Sequence, residues 1–352
     1  MTTTPDHGDS AAETSPAVEP AFPFVALTVQ ATGIHPSTAR LVAVDVLTFD
    51  EDGEIGEEFH TVLNPGSDPG PHHYHGLTHE EVAAGQRFSS VLKTLDRLLD
   101  DRTLIVHNAP RVWGFIVAEA RRAMNAAARS NRSRGRGRGR GRRRQRVGHV
   151  PKPLAIVDTL ATARRRRIPL EDTRLGGLAL ALGMDAPSPV ATVERARRPE
   201  HETTRETNDL LIDVFFELRD HSDDAVLAES APGDLRADRF GLQRSHVRVD
   251  AMEAPRPHPN PGVHVPGRHL VRGMEVVVAP EVELDPDILI AECVKAELVY
   301  SEKLTRTTSV VVCNDTADLR GKAMHAVRKG IPLLSDTEFL AAVEQVQSHP
   351  RR

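Results

Sequence analysis

Two groupings of side chains in this sequence have types and spacings that could do chemistry. The first is residues 129–146, RSNRSRGRGRGRGRRRQR, which put ten arginines and no acid into one run. Guanidinium groups grip phosphates bidentately and stack on bases, while interleaved glycines keep the backbone mobile. Arg132, Arg134, Arg136, Arg138, Arg140, Arg142, Arg143, Arg144 and Arg146 are therefore read as a nucleic-acid-binding loop. DNA is the first expectation, and RNA suits the same chemistry. The chain has a formal net charge of −5, so everything outside the run carries −15. An acidic body with one intensely basic segment delegates contact with polyanions to a single element.

The second grouping is His72, His73, His75 and His79 in PHHYHGLTHEE. Clustered imidazoles invite a metal reading, but no cysteine or carboxylate stands at a complementary spacing, so no metal is expected there. Cys293 and Cys313 form no C-x-x-C pattern, so neither a disulfide framework nor a cysteine zinc site is indicated.

Elements must position these groups. Residues 1–22 lack periodicity and read as a disordered acidic tail. The runs FVALTVQ, LVAVDVLTF and EEFHTVLNP read as strands, with a turn at Asp50–Gly53 between the last two. Helical patterns follow at His79–Ala84 and Phe88–Leu99, then a strand TLIVHNA and a helix over Trp113–Ala127. Beyond the arginine run come a strand and helix in PLAIVDTLATARR, a short helix in TRLGGLALALGM, and a helix over Glu202–Leu218 with Leu210, Leu211, Val214, Phe215 and Leu218 on one face. These elements define a first domain over 23–219 with the 129–146 insertion. Residues 220–268 are proline-rich and read as a linker without regular structure. Residues 269–347 alternate strand and helix, as a small α/β domain with a parallel sheet requires.

The first domain resembles the DEDDh family of 3′–5′ exonucleases, of the DNA polymerase III epsilon-subunit type. That family opens with Asp-x-Glu on a strand, then Thr-Thr-Gly. FVALTVQATGIHPSTARLV keeps the outline and the His35-Pro36 pair, but Thr28 stands at the Asp position, Gln30 at the Glu position and Ala31 at the first Thr. The second motif, HNA-x-Phe-Asp, reads His107-Asn108-Ala109-Pro110-Arg111-Val112, with Val112 at the Asp position. The third sets His five residues before Asp on the last helix; one register gives Glu202 and Thr207, and a shift of one gives His201 and Glu206. Asp158 matches an acid often present in the family. The resemblance implies a ribonuclease-H-like α/β fold, a mixed sheet with helices, and chemistry that in the family uses two divalent ions held by four acids.

With those acids replaced, the expectation is a catalytically degenerate, DNA-binding replication or repair factor that needs no metal or cofactor. Two alternatives stand beside it: an active exonuclease using Mg²⁺ or Mn²⁺ with Asp45 or Asp50 as substitute ligands, and an RNA-binding module. Asp45 reads more simply as an acid on the solvated face of an alternating strand. The C-terminal stretches TRTTSVVVCND, Gly321-Lys322-Ala323 and GIPLLSDTEFL, with Phe339, resemble a BRCT domain. That implies a protein partner. Lys322 stands at the family's phosphate-binding lysine position, but Ala279 and Pro280 replace the accompanying hydroxyl and glycine. No run of about 18 apolar residues exists. With no basic, apolar leader, a cytoplasmic, nucleoid-associated protein without membrane contact is expected.

Overall fold

A computed structural model of the chain describes residues 21–135, 147–190, 192–220, 227–317 and 319–347. Residues 1–20, and the arginine run from Arg136 to Arg146, lie outside the described residues.

The first unit is built on β1 (Phe24–Ala31), β2 (Leu41–Phe49) and β3 (Ile55–Val62). Asp50 closes the β2–β3 hairpin: its carboxylate accepts from the Asp52 and Glu54 amides, and Gly53 takes φ +87° in the left-handed region that glycine tolerates. Then come α1 (His79–Ala84), entered through a capping box between Thr78 and Glu81, α2 (Phe88–Leu99), β4 (Thr103–Val106) and α3 (Ala109–Gly135). β5 (Ala155–Asp158), α4 (Thr159–Arg165), α5 (Leu175–Ala181), α6 (Val193–Ala196) and α7 (Glu200–Asp220) complete it. β6 (Glu229–Ser230) closes a six-stranded sheet of order β3-β2-β1-β4-β5-β6. β1, β4 and β5 run parallel, while β2, β3 and β6 pair antiparallel with their neighbours. The sheet is therefore mixed.

Both faces are covered, because the sheet's side chains alternate. Val25, Leu27 and Val29 of β1 meet α2 and α3 through Leu92, Leu95, Phe115 and Ile116. Ala26 lies on the other face with Leu47, Phe49 and the α5–α7 side chains Leu178, Leu211 and Phe215. α7 thus packs against the face that carries Thr28 and Gln30.

Residues 220–268 differ from the linker expected. They form β6, the hairpin β7 (Leu235–Ala237) and β8 (Gln243–Ser245), and α8 (His246–Glu253). The hairpin lies against α3 so closely that a Cβ on Gly114 would meet the Gly241 carbonyl at 2.8 Å. The prolines cluster between 255 and 266, after α8, and leave the earlier half free to pair. α3 also runs further than read, to Gly135, so residues 129–135 of the arginine-rich run are helical.

The C-terminal unit contains β9 (Glu275–Val278), α9 (Pro286–Lys295), β10 (Val299–Tyr300), β11 (Thr308–Val312), α10 (Gly321–Arg328), β12 (Leu333–Leu334) and α11 (Asp336–Val343). Its four strands are parallel, in the order β10-β9-β11-β12. Phe339 is fully buried with Leu289, Val276 and Val310, while Val277 and Val311 meet Ala323 and Ala326 on the opposite face. Ala251 of α8 joins the first of these cores, so α8 belongs to the C-terminal packing.

Candidate functional site

The strand register sets Thr28, Asp45 and His60 side by side across β1, β2 and β3. α7 faces them with Glu200, Thr204 and Asn208, one residue every turn, and Arg205 beside them. Asp45, Thr204 and Asn208 are fully buried.

The groups bond to one another. Thr28 Oγ1 donates to Asn208 Oδ1 at 3.2 Å, and Asn208 Nδ2 donates to Asp45 Oδ1 at 2.9 Å and to the Asp45 carbonyl at 3.2 Å. Gln30 Nε2 donates to Thr204 Oγ1 at 3.0 Å, which itself donates to Glu200 Oε1 at 2.6 Å. The Asp45 carboxylate also accepts from Arg205 Nε and Nη2 at 3.0 Å and lies 3.1 Å from His60 Nδ1. His60 Nε2 stands 3.2 Å from Glu200 Oε2, an ion-pair contact outside hydrogen-bond alignment in which neither atom has another partner. Arg205 reaches on to Glu58.

The electrostatics follow from this pairing. Burial pushes Asp45 up, but hydrogen bonds with His60, Arg205 and Asn208 outweigh it and hold the carboxyl below its ordinary value. Burial pulls His60 down, yet Asp45 and Glu200 raise it from 6.5 to about 9. Two carboxylates therefore face an imidazolium and a guanidinium, and the buried network balances its own charge.

Such a donor set does not fit the ion pair used by DEDDh exonucleases. Two dications about 4 Å apart repel by roughly 17 kcal/mol at an effective dielectric near 20, which demands several unengaged carboxylates. Thr28 and Gln30 offer only neutral oxygens, and Asp45 and Glu200 are taken by Arg205, His60 and Thr204. Among the described residues, no three His, Cys, Asp or Glu side chains are arranged to hold a metal ion.

The positions singled out on the sequence are distributed as follows. Thr28 and Gln30 are brought together with α7. Val112 is not: it is buried in the apolar cluster of the opposite face, with Trp113 and Ile116. On α7 the residues facing β1 are Thr204 and Asn208, so neither register read on the sequence is the one that meets the strand. Glu202 and Glu206 are exposed and pair with Arg198, Thr207 Oγ1 donates to the Thr203 carbonyl at 2.7 Å, and the His201 ring is exposed, 6.2 Å from His60. The helix simply presents a different face, one turn-step from the chemically attractive acids. Asp45 is buried, not solvated, because β2 is covered on both sides. Asp50 remains in its hairpin turn.

Asp158 is a clamp: it accepts from the Asn108 and Ala109 amides at 3.0 and 2.8 Å and caps α4 through Leu160 and Ala161. This ties the HNA turn, where Asn108 takes φ +68°, to the next strand. His75 is buried, accepting from the Leu77 amide and bonding the Pro69 carbonyl; His72 and His73 are exposed, and His79 lies 3.5 Å from Asp68. Arg132 is exposed on α3, and Arg134 belongs to its last turn. Arg136, Arg138, Arg140, Arg142, Arg143, Arg144 and Arg146 fall outside the described residues. Lys322 Nζ donates to the Val278 carbonyl at 3.1 Å.

His60, Glu200, Thr204, Arg205 and Asn208 escaped the sequence reading. One signal was available: the apolar stripe Leu218, Phe215, Leu211, followed back along the helix, falls on Asn208, Thr204 and Glu200.

Residues 30–135 match the model of the exonuclease family described as RNase_T. Together with the mixed six-stranded sheet, this gives the ribonuclease-H-like exonuclease fold to the first unit. No curated protein matches the chain at a significant level. Among solved structures, Escherichia coli exonuclease I in complex with a dA16 oligonucleotide is similar at 15% identity and a TM-score of 0.37, over 57% of this chain and 41% of that one. Exonuclease X in complex with 5′-overhanging duplex DNA is similar at 14% identity and a TM-score of 0.33, over 55% of this chain and 90% of that one. The chain thus spans about two-fifths of the exonuclease I chain it matches.

Proposed function

We propose that this protein binds nucleic acid, DNA first and RNA second, through the arginine-rich segment 129–146, on an exonuclease-like domain that no longer cleaves. The observation that supports the loss of cleavage is the closed network: Thr28 and Gln30 are bonded to Asn208 and Thr204, where the family resemblance calls for carboxylates, and Asp45 is held by Arg205 and His60. The C-terminal unit supports a BRCT-like reading through its four parallel strands and buried Phe339. Ala279 and Pro280 offer neither a hydroxyl nor, at proline, an N–H, and the Lys322 ammonium is tied to a carbonyl, so protein association suits this unit better than phosphopeptide capture. A role in DNA replication or repair follows from these resemblances.

The test uses end-labelled single-stranded DNA and RNA with Mg²⁺ or Mn²⁺, comparing wild type with Asp45→Asn and Glu200→Gln. No metal-dependent shortening is expected; degradation lost in both variants would mean an active nuclease with substitute ligands. For binding, log K should fall with log salt by about 0.9 per phosphate contact. Deleting residues 136–146 should remove several of those contacts, and an unchanged salt slope refutes the assignment.

A further inference from the structure

A cleft of about 630 Å³ opens where the first unit, the β7–β8 hairpin with α8, and the C-terminal unit meet. Thr28, Gln30, Asp45, His60 and the α7 network take no part in its lining. Six cationic and four acidic side chains line it. Three of the four acids are already engaged, and the fourth, Asp287, lies 3.8 Å from Arg248. Asp158 accepts from four backbone amides, Asp285 caps α9 and lies 3.5 Å from Arg165, and Glu302 meets Arg244 at 3.3 Å and the Tyr300 hydroxyl at 2.5 Å. Arg248 has only distant contacts, 3.8 Å to each of Asp287 and Glu302.

Two cations are left over. Among the described residues neither the Arg111 nor the Arg164 guanidinium has a hydrogen bond or an ion pair; that of Arg111 lies over the Phe115 ring, 5.5 Å from its centroid. Burial pulls both guanidiniums below their ordinary values, at Arg111 with no opposing partner and at Arg164 against the distant pull of Asp158 and Glu281. Arg111 is half-buried, so leaving its donors unmade is costly, while Arg164 is exposed at the cleft with its donors free for a ligand. Ile34 (59% exposed), Leu235 and Leu242 contribute apolar lining.

We propose that this interdomain cleft binds a phosphate-bearing nucleotide, with Arg111 and Arg164 gripping the phosphoryl oxygens and the apolar lining at Ile34 receiving the rest of the molecule. Planar guanidiniums match phosphoryl geometry in bidentate fashion, and the cleft's volume suits a mononucleotide or a strand terminus. Since the gripping groups stand on α3 and α4 while Arg248 comes from α8, which packs with the C-terminal unit, the ligand bridges the units. The chemistry is shared by a free nucleotide and by the phosphorylated end of an oligonucleotide.

Isothermal titration of the full chain separates these sources, using pyrophosphate, ATP, 5′-phosphorylated and unphosphorylated dT4, and a phosphoserine peptide. Pyrophosphate and at least one nucleotide arm should bind. ATP alone identifies a free nucleotide, and phosphorylated dT4 bound more tightly than ATP identifies a strand end. Arg111→Gln and Arg164→Gln should each weaken binding by about tenfold or more, and together by about a hundredfold. Arg111→Lys with Arg164→Lys, which keeps charge but loses the fork, should fall between and carries the test if the glutamine pair does not fold. Deleting 136–146 should leave pyrophosphate affinity unchanged, which separates this site from the arginine-run binding proposed above. No binding of any phosphate probe, binding equal in wild type and variants, or binding of the phosphopeptide alone overturns the assignment.

Discussion

His60 makes stability depend on alkaline pH. Its ring lies between Asp45 and Glu200, with its side chain 20% exposed, and its proton is held to about pH 9 against 6.5 for the free side chain. A group whose affinity for its proton is raised by folding stabilises the protein fully below the unfolded value. That contribution is lost as pH rises through the folded value, here between about 6.5 and 9. At 1.36 kcal/mol per tenfold the difference amounts to roughly 3 kcal/mol, reduced to about 2 kcal/mol by solvent screening at the ring's open edge. Thermal melting followed by circular dichroism at constant salt should show the wild type losing about 4–8 °C between pH 6 and pH 9 for a domain of this size. Cysteines ionising in the unfolded chain act in the same window, since burial pushes the Cys313 thiol up to about 11 when folded. They act equally in His60→Gln, whose amide can still donate to Asp45. The variant should therefore lose markedly less over the same range. Equal slopes in the two proteins refute the assigned charge state of His60.

Two further outcomes test the same region. Asn208→Asp removes the donors to Asp45 and sets two carboxylates together, so stability should fall by about 3 kcal/mol at pH 8 and by less at pH 5, where the pair shares a proton; an equal loss at both pH values in chemical denaturation contradicts this. Asp158→Ala takes away the α4 cap and the acceptor for the Asn108 and Ala109 amides. Denaturation should report a loss of about 2 kcal/mol or more, and a change under 0.5 kcal/mol would show that the clamp is idle.

Much of the chain announces itself locally. The alternating runs that became β1 to β3, the apolar strand before His107, and the strand–helix alternation after Val271 all carry periodicities that need no partner to read. Caps do the same: Thr78 with Glu81 and Ser335 with Glu338 are written in adjacent residues. Other features depended on surroundings. Arginine and serine tolerate a helix once α3 is packed, which is why it continues to Gly135. The short strands of 229–245 exist because β5 and α3 offer them edges and surfaces.

The sequence alone determined that positions 28, 30 and 112 carry no acid, that one segment concentrates the positive charge, and that strand and helix patterns alternate after Val271. Those are properties of residue identity and order. Only the tertiary structure decided which face of α7 meets β1, that Asp45 is buried, and that His60, 15 residues from Asp45 and 140 from Glu200, completes the network. Helix register is a rotation: a hundred degrees per residue separates Glu206 or Thr207 from Asn208, and long-range packing of Leu211 and Phe215 against the sheet, not local spacing, fixes that rotation.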